Sequence, residues 1–191
     1  MKQTVSIALV AALIGTTVNH SARAQSFAPA ASANYTMDLD TQNGNFSVWQ
    51  VNDLSAINAL RSNVTIARLG QDPKWAPTFL IMLNSDAGRA ELHISGLDGR
   101  LILTAESWVG EEQMQSEVFL LPPEIAETFG LDVDWSPDGS VVFVVRDKAA
   151  GKVNGYERHV ISLMGPPTTL EITSSTGQLK LDQVKLGRTT P

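Results

Sequence analysis

The stretch Leu131–Val145 (LDVDWSPDGSVVFVV) decides the fold that the sequence predicts. Its first five residues alternate apolar and polar side chains, which is the period of a β-strand with one buried and one solvated face. Pro137, Asp138 and Gly139 then supply turn chemistry, because proline fixes φ, aspartate offers a side-chain acceptor and glycine tolerates positive φ. An apolar run follows. The stretch therefore predicts a β-hairpin with Trp135 on its buried side.

The same period of two continues along most of the chain, with turn signals about every ten residues and no long amphipathic helix. A sheet of so many strands must split or close to hide its faces. The sequence therefore predicts an all-β, two-sheet antiparallel β-sandwich over 35–188. At most one or two short helices are expected, at 53–60 and at 123–129, the second stopped by Gly130. A turn is expected at 174–177.

The last predicted strand contains an irregularity. Leu179 and Leu181 share one face by alternation, whereas Val184 and Leu186 fall on the opposite parity. One extra residue near Asp182–Gln183 would bring all four side chains to the same core. The sequence therefore predicts a one-residue β-bulge there.

The first 24 residues have the features of a secretory signal peptide. Lys2 opens the segment, a short apolar run follows, and Ala22-Arg23-Ala24 fits the small-x-small rule for cleavage after Ala24. The apolar run is short for a membrane span, so a retained anchor is the weaker alternative. We expect export to the periplasm or beyond, with a flexible Ala- and Ser-rich leader at 25–34 and no membrane span after cleavage.

Composition excludes several classes of function. The formal net charge is −6 and no basic patch stands out, which argues against nucleic acid and anionic membrane surfaces as partners. The chain has no cysteine, so disulfides, thiol chemistry and thiolate metal sites are excluded. His93 and His159 are too few for a His-rich metal site, and no phosphate-binding loop or nucleophile elbow occurs. We predict no cofactor and no metal.

The order of the motifs resembles the concanavalin A-like lectin and glucanase superfamily of jelly-roll sandwiches. The resemblance covers roughly residues 35–188. Three motifs carry the resemblance: an early aromatic strand (FSVWQV), a late W-x-x-D-G-x-V hairpin, and a D-x-V motif in the last strand. In this chain the hairpin motif is Trp135, Asp138, Gly139 and Val141, and the D-x-V motif is Asp182 and Val184. The resemblance implies a jelly-roll fold. These motifs are fold markers and transfer no catalytic or sugar-contacting residue.

The chain departs from the superfamily's β-glucan-cleaving members. Those enzymes carry E-x-D-x-x-E on one strand, which sets the acid and the nucleophile beside a glycosidic bond; no such triplet occurs here. Asp132 and Asp134 lie two apart on one predicted strand face without a third acid in register, and we interpret them as a solvated outer face. No cluster of Asp and Asn has the spacing of a calcium site.

Candidate ligand contacts fall into two groups. Flat aromatic rings stack against sugar rings, and charged side chains on one strand face form a polar cluster for hydroxyl groups. The predicted contacts are Trp49, Trp75 and Trp108 in the first group and Arg89, Glu91 and His93 in the second. The alternatives are that each Trp fills the core or plugs a loop, and that His93 is an ordinary surface residue. No catalytic residue is assigned.

The sequence favours an exported, non-catalytic binding module with a carbohydrate or protein ligand on the concave face of one sheet. One alternative is a hydrolase or lyase acting on polysaccharide with acid and base groups drawn from distant strands. Another is a structural or interaction subunit of the cell envelope that works as an edge-paired oligomer. The sequence does not set the oligomeric state or identify the ligand.

Overall fold

The computed structural model describes residues 35–70, 77–97, 100–119, 128–149 and 152–188. These residues form ten β-strands, and none of them lies in a helix that could cross a membrane. The strands are β1 (Tyr35–Val51), β2 (Ala59–Leu69), β3 (Thr78–Asn84), β4 (Arg89–Leu97), β5 (Arg100–Val109), β6 (Glu112–Val118), β7 (Thr128–Trp135), β8 (Ser140–Ala149), β9 (Lys152–Ser162) and β10 (Thr169–Gly187).

The strands make two antiparallel layers that share β1 and β10. Sheet A contains the C-terminal half of β1, the N-terminal half of β10, and then β3, β4, β5 and β6. Sheet B contains the N-terminal half of β1, the C-terminal half of β10, and then β2, β7, β8 and β9. The inward side chains of both sheets form one apolar cluster. The predicted two-sheet antiparallel β-sandwich is confirmed.

The two layers join where β10 passes from β3 to β2. Thr176 has a positive φ of 54° at this point, and its carbonyl accepts a hydrogen bond of 2.8 Å from the N–H of Gly70. The turn predicted at 174–177 is therefore wrong, since β10 continues through it. Its Ser, Thr and Gly residues favour turns locally, but pairing with β1 along almost the whole strand overrides that preference.

The organising hairpin and its buried face are confirmed. Val133 lies opposite Phe143 and Trp135 opposite Val141, so β7 and β8 pair across the predicted turn. Trp135 is 6% exposed and lies in the core. Full burial of a large apolar side chain stabilises a fold by about 1.5–3 kcal/mol. The buried side chains of this hairpin therefore stabilise the sheet B part of the core.

The predicted β-bulge is also confirmed. The pairing of β10 with β2 shifts between Asp182 and Lys185, and Gln183 has a φ of 55°. The four side chains that the bulge was expected to align are all buried, at 0%, 0%, 0% and 6% exposure for Leu179, Leu181, Val184 and Leu186. The one extra residue of the bulge thus places the side chains at the end of β10 on the core side of the strand.

The two helix predictions are not confirmed. The expected helix at 53–60 is wrong: the Asp53 carboxylate accepts a hydrogen bond from the Ser55 N–H in a single turn, and β2 begins at Ala59. Five of the seven residues of the second candidate, 123–127, lie outside the described residues. Its predicted end is wrong, because Phe129 and Gly130 belong to β7.

Sequence reasoning also missed part of the sheet A edge and shortened one hairpin. β6 was not predicted, because its EQMQSEV segment is polar on both faces. Residues 148–155 form a polar segment, which the sequence indicates as a loop; this interpretation is wrong, since β8 and β9 continue into the segment and Ala149 lies opposite Lys152. Both differences lie at or beside the edges of the sheets, where alternation is weakest because little is buried.

Candidate functional site

The outward face of sheet A collects four of the six predicted contacts. In β4 the side chains of Ala90, Leu92 and Ile94 are fully buried in the core. Because successive strand residues alternate between faces, Arg89 and Glu91 point outward, as do His93 and Ser95. This alternation is what the sequence predicted for β4.

The β4–β5 register brings two further side chains into the same patch. Arg89 lies opposite Trp108 and Glu91 opposite Glu106. Trp108 lies inside β5, one residue before its end. We call these four side chains the acid–indole cluster: Arg89, Glu91, Glu106 and Trp108.

Direct contacts hold the acid–indole cluster together. The Arg89 Nε donates to the Glu91 carboxylate at 2.8 Å, and the Arg89 guanidinium carbon lies 4.8 Å from the centre of the Trp108 ring. The indole N–H of Trp108 donates to the Glu106 carboxylate at 3.2 Å. A cation above an aromatic ring and a charged acceptor at its N–H together fix the orientation of the indole.

The two carboxylates are unusually buried for residues that face outward. Glu91 is 4% exposed and Glu106 is 8% exposed. Glu91 is neutralised by Arg89, whereas the described partner of Glu106 is the uncharged indole N–H. A buried carboxylate without a cation is costly. The patch therefore presents acceptor capacity that a ligand with hydroxyl or other N–H and O–H donors can use.

Two more side chains extend this patch. His93 follows on the same face, opposite Thr104, and its Nε2 is shielded from solvent without a hydrogen-bond partner. Glu171 of β10 lies in the same row, since it pairs with Met82, which pairs with Glu91. Burial raises the pKa of the Glu171 carboxyl above its ordinary value. An orphaned ring nitrogen and a half-buried carboxyl both need an explanation in a folded protein.

The remaining predicted contacts do not join the patch. Trp49 lies opposite Ile172 on the inner side of β1 and is 6% exposed, so it belongs to the core. Its alternative interpretation as a core residue is the one that the structure supports. Trp75 lies outside the described residues.

Sequence reasoning missed Glu106 and Glu171. The first was within reach: the Asp98-Gly99 turn signal implies a two-residue hairpin loop, and such a loop fixes the register that sets Glu106 opposite Glu91. The second was not, because its place in the row depends on β3 lying between β10 and β4.

Asp132 and Asp134 lie on the outer face of sheet B, within an ion-pair network. Arg146 donates to Asp132 at 2.5 Å, and Arg61 donates to Asp134 at 2.6 Å. Arg61 also approaches Asp132 at 3.5 Å. Each carboxylate has an arginine partner, so the structure supports a structural role for both.

A cleft of about 770 Å³ lies at one end of the sandwich, away from the acid–indole cluster. It is lined mainly by apolar groups, including Leu54, Trp135 and Pro166. Arg188 lines it too, but its guanidinium already donates to the carbonyls of Ser55 and Ala56 at 2.7 and 3.1 Å. None of the five predicted contacts that the structure describes lies in this cleft.

Metal binding finds no support in the part of the chain that the structure describes. No group of three or more His, Asp or Glu side chains there is arranged to hold an ion. The acid–indole cluster supplies hydrogen bonds and an aromatic surface instead.

Comparison with solved structures agrees with this architecture. The chain is similar to the Bacteroides ovatus xyloglucan PUL GH43B protein, with a TM-score of 0.56, 12% identity, and coverage of 79% of this chain and 32% of that one. It is similar to the Crh5 transglycosylase, with a TM-score of 0.53, 10% identity, and coverage of 90% and 84%. The chain is a jelly-roll β-sandwich. The resemblance predicted from the hairpin and the last strand is thus confirmed at the level of the fold.

A third similar structure is the galectin LEC-6 of Caenorhabditis elegans, with a TM-score of 0.48, 12% identity, and coverage of 78% of this chain and 95% of that one. No protein-family model matches the sequence, and a search of curated proteins returned no significant match. At these identities the fold alone is what the xyloglucan PUL GH43B protein and the Crh5 transglycosylase share with this chain.

Proposed function

We propose that this protein is an exported, non-catalytic module that binds a carbohydrate on the outer face of sheet A. The observation that carries the proposal is the acid–indole cluster, in which a tryptophan is held between an arginine and a buried glutamate. The fold is one that this chain shares with proteins named for xyloglucan and transglycosylation. The predicted signal peptide supports export.

The chemistry of the cluster suits a sugar. A pyranose offers an apolar ring face for an aromatic surface and hydroxyl groups for charged acceptors and donors. Trp108, Glu106 and Arg89 are already fixed by one another, so little side-chain entropy is lost when a ligand arrives.

Binding should be tested on a glycan array, followed by titration calorimetry with the best ligand. Trp108→Ala removes the aromatic surface, and the loss of a contact of about 1.4 kcal/mol weakens affinity about tenfold. Glu106→Gln keeps the side-chain volume and an acceptor for the indole but removes the charge, and should also weaken binding.

The matched control is Asp132→Asn, which removes a carboxylate charge from the outer face of sheet B. It should leave affinity unchanged if the site is on sheet A. Carbohydrate binding that survives Trp108→Ala and Glu106→Gln but is lost in Asp132→Asn contradicts the proposed location. Absence of binding to any glycan contradicts the carbohydrate ligand itself.

A second candidate function, a polysaccharide-active enzyme, draws support from the direct pairing of Glu91 with Glu106. Directly opposite residues on antiparallel strands carry neighbouring side chains, and retaining glycosidases hold two carboxyl groups about 5–5.5 Å apart on either side of the bond they cleave. Release of reducing ends from polysaccharide, abolished by Glu106→Gln, would support this candidate. Binding without such release favours the non-catalytic module.

A further inference from the structure

The edges of the two sheets differ sharply in how they are covered. On one flank β6 and β9 lie side by side, and the Gln115 side chain donates to the Val160 carbonyl at 3.0 Å and accepts from the Ser162 N–H at 3.2 Å. His159 lies 4.0 Å from Glu117 across the same gap. On the other flank β1 pairs with β10 only, so none of the described strands runs along its second edge.

An irregularity in the pairing of β1 with β10 lies between Thr41 and Phe46, and beyond it β1 lacks the charges and prolines that normally protect such an edge. An unpaired strand presents a row of free N–H and C=O groups, which native proteins guard with charges, prolines or bulges. Phe46–Val51 (FSVWQV) contains no charge and no proline, and the Phe46 side chain is 70% exposed. We call this segment the open edge. Short, uncharged segments rich in β-branched and aromatic residues are those that add strands most readily.

We propose that the open edge pairs, antiparallel, with the open edge of a second copy of this chain. A twofold antiparallel pairing sets a segment against itself, so the charges that the segment carries come close to the same charges on the second copy. The open edge has no charge to repel. The N-terminal half of β1 carries Asp38 and Asp40, which would oppose such pairing, and this confines the contact to the C-terminal half.

The strand period restricts the register of this dimer. Trp49 and Val51 face the core, whereas Phe46 points outward. Opposed residues in a continuous sheet must share a face, so residues of equal parity face one another. Pairing Val48 with its own copy, for example, sets Phe46 against Gln50 and covers part of the exposed ring. The two sheet A layers then form one continuous sheet.

Sedimentation velocity of the purified chain over a range of concentrations tests this dimer. The wild type should reach twice the mass of the chain as the concentration rises. Phe46→Lys places like charges at the open edge and should give a monomer with an unchanged urea midpoint, because Phe46 contributes little to the core. The matched control, Val160→Lys, changes an exposed valine on β9 and should still dimerise.

Hydrogen exchange gives an independent readout. Amide protection at 46–51 should increase with protein concentration in the wild type and not in Phe46→Lys. A wild type that stays monomeric overturns the proposal, as does a Phe46→Lys variant that dimerises like the wild type. A monomer that instead adds a strand from another protein also overturns it. None of these results bears on the carbohydrate proposal, which rests on other residues.

Discussion

Deleting Asp182 and Gln183 together should turn the end of β10 inside out, whereas deleting Gln183 alone should not. Gln183 is the extra residue of the bulge and has a φ of 55°. When Gln183 alone is missing, regular alternation still places Val184 and Leu186 on the core side of sheet B. When both residues are missing, strict alternation sends Val184 and Leu186 to the solvent side, unless the end of β10 slips out of register with β2.

The size of the effect follows from the burial of these two side chains. Val184 is 0% and Leu186 is 6% exposed, and full burial of each is worth about 1.5–3 kcal/mol. Their loss costs up to about 3–6 kcal/mol, against a total stability of about 5–15 kcal/mol for a typical domain. In a urea titration followed by tryptophan fluorescence, we expect the midpoint to fall by about 1–3 M.

Gln183→Gly provides the control for this deletion. Glycine accepts positive φ without a Cβ clash, and the Gln183 side chain is exposed, so the stability of this variant should stay within about 1 kcal/mol of the wild type. The reasoning would be refuted by a chain that lacks both Asp182 and Gln183 and keeps the urea midpoint of the wild type, or by one that lacks Gln183 alone and loses as much stability, because either result would show that residue parity does not set which side chains are buried.

Three further outcomes can be checked by urea titration or NMR. Gly70→Ala places a Cβ 2.0 Å from the Thr176 carbonyl and should cost about 1–3 kcal/mol in a urea titration, whereas Gly187→Ala meets nothing within 4 Å and should be neutral. Glu171→Gln should raise the free energy of unfolding at neutral pH. The difference from the wild type should shrink in acid, because burial raises the pKa of the Glu171 carboxyl and the wild type loses stability only as the pH rises through that pKa. Asp138 should titrate by NMR below its ordinary pKa, since a serine hydroxyl and a backbone N–H donate to it, and the stability it contributes should be lost as pH falls through that pKa.

Local signals were enough to predict the parts of the fold in which alternation and burial agree. The hairpin around Pro137 and the bulge at Asp182–Gln183 both follow from the parity of apolar residues, and both are confirmed. The turn expected at 174–177 failed, because the preference of Ser, Thr and Gly for turns is weaker than the pairing of β10 with its neighbours. The helix expected at 53–60 failed because one Asp–Ser turn suffices to lead into β2.

The candidate site also has one part that local sequence signals could predict and another part that they could not. The outward face of β4 could be predicted, since Arg89, Glu91 and His93 alternate with fully buried residues. The hairpin register would have added Glu106. Glu171 comes from a strand about 80 residues away in the sequence, and its position depends on the order of strands in sheet A, which no local pattern encodes. Trp49 could not be placed from one strand alone, because a tryptophan suits either face.

The position of β10 has a consequence for how the chain reaches its native state. Tyr35 lies opposite Val184, so β1 acquires its partner strand only when almost the whole polypeptide is present. Both layers can therefore close only when the C-terminal strand is present. Contacts between residues far apart in the sequence, such as those of β1 with β10, make folding slow. A nascent chain that still lacks β10 should remain protease-sensitive, which pulse proteolysis of stalled ribosome complexes can measure. That delay would suit passage through a secretion pore, where early folding would block the way.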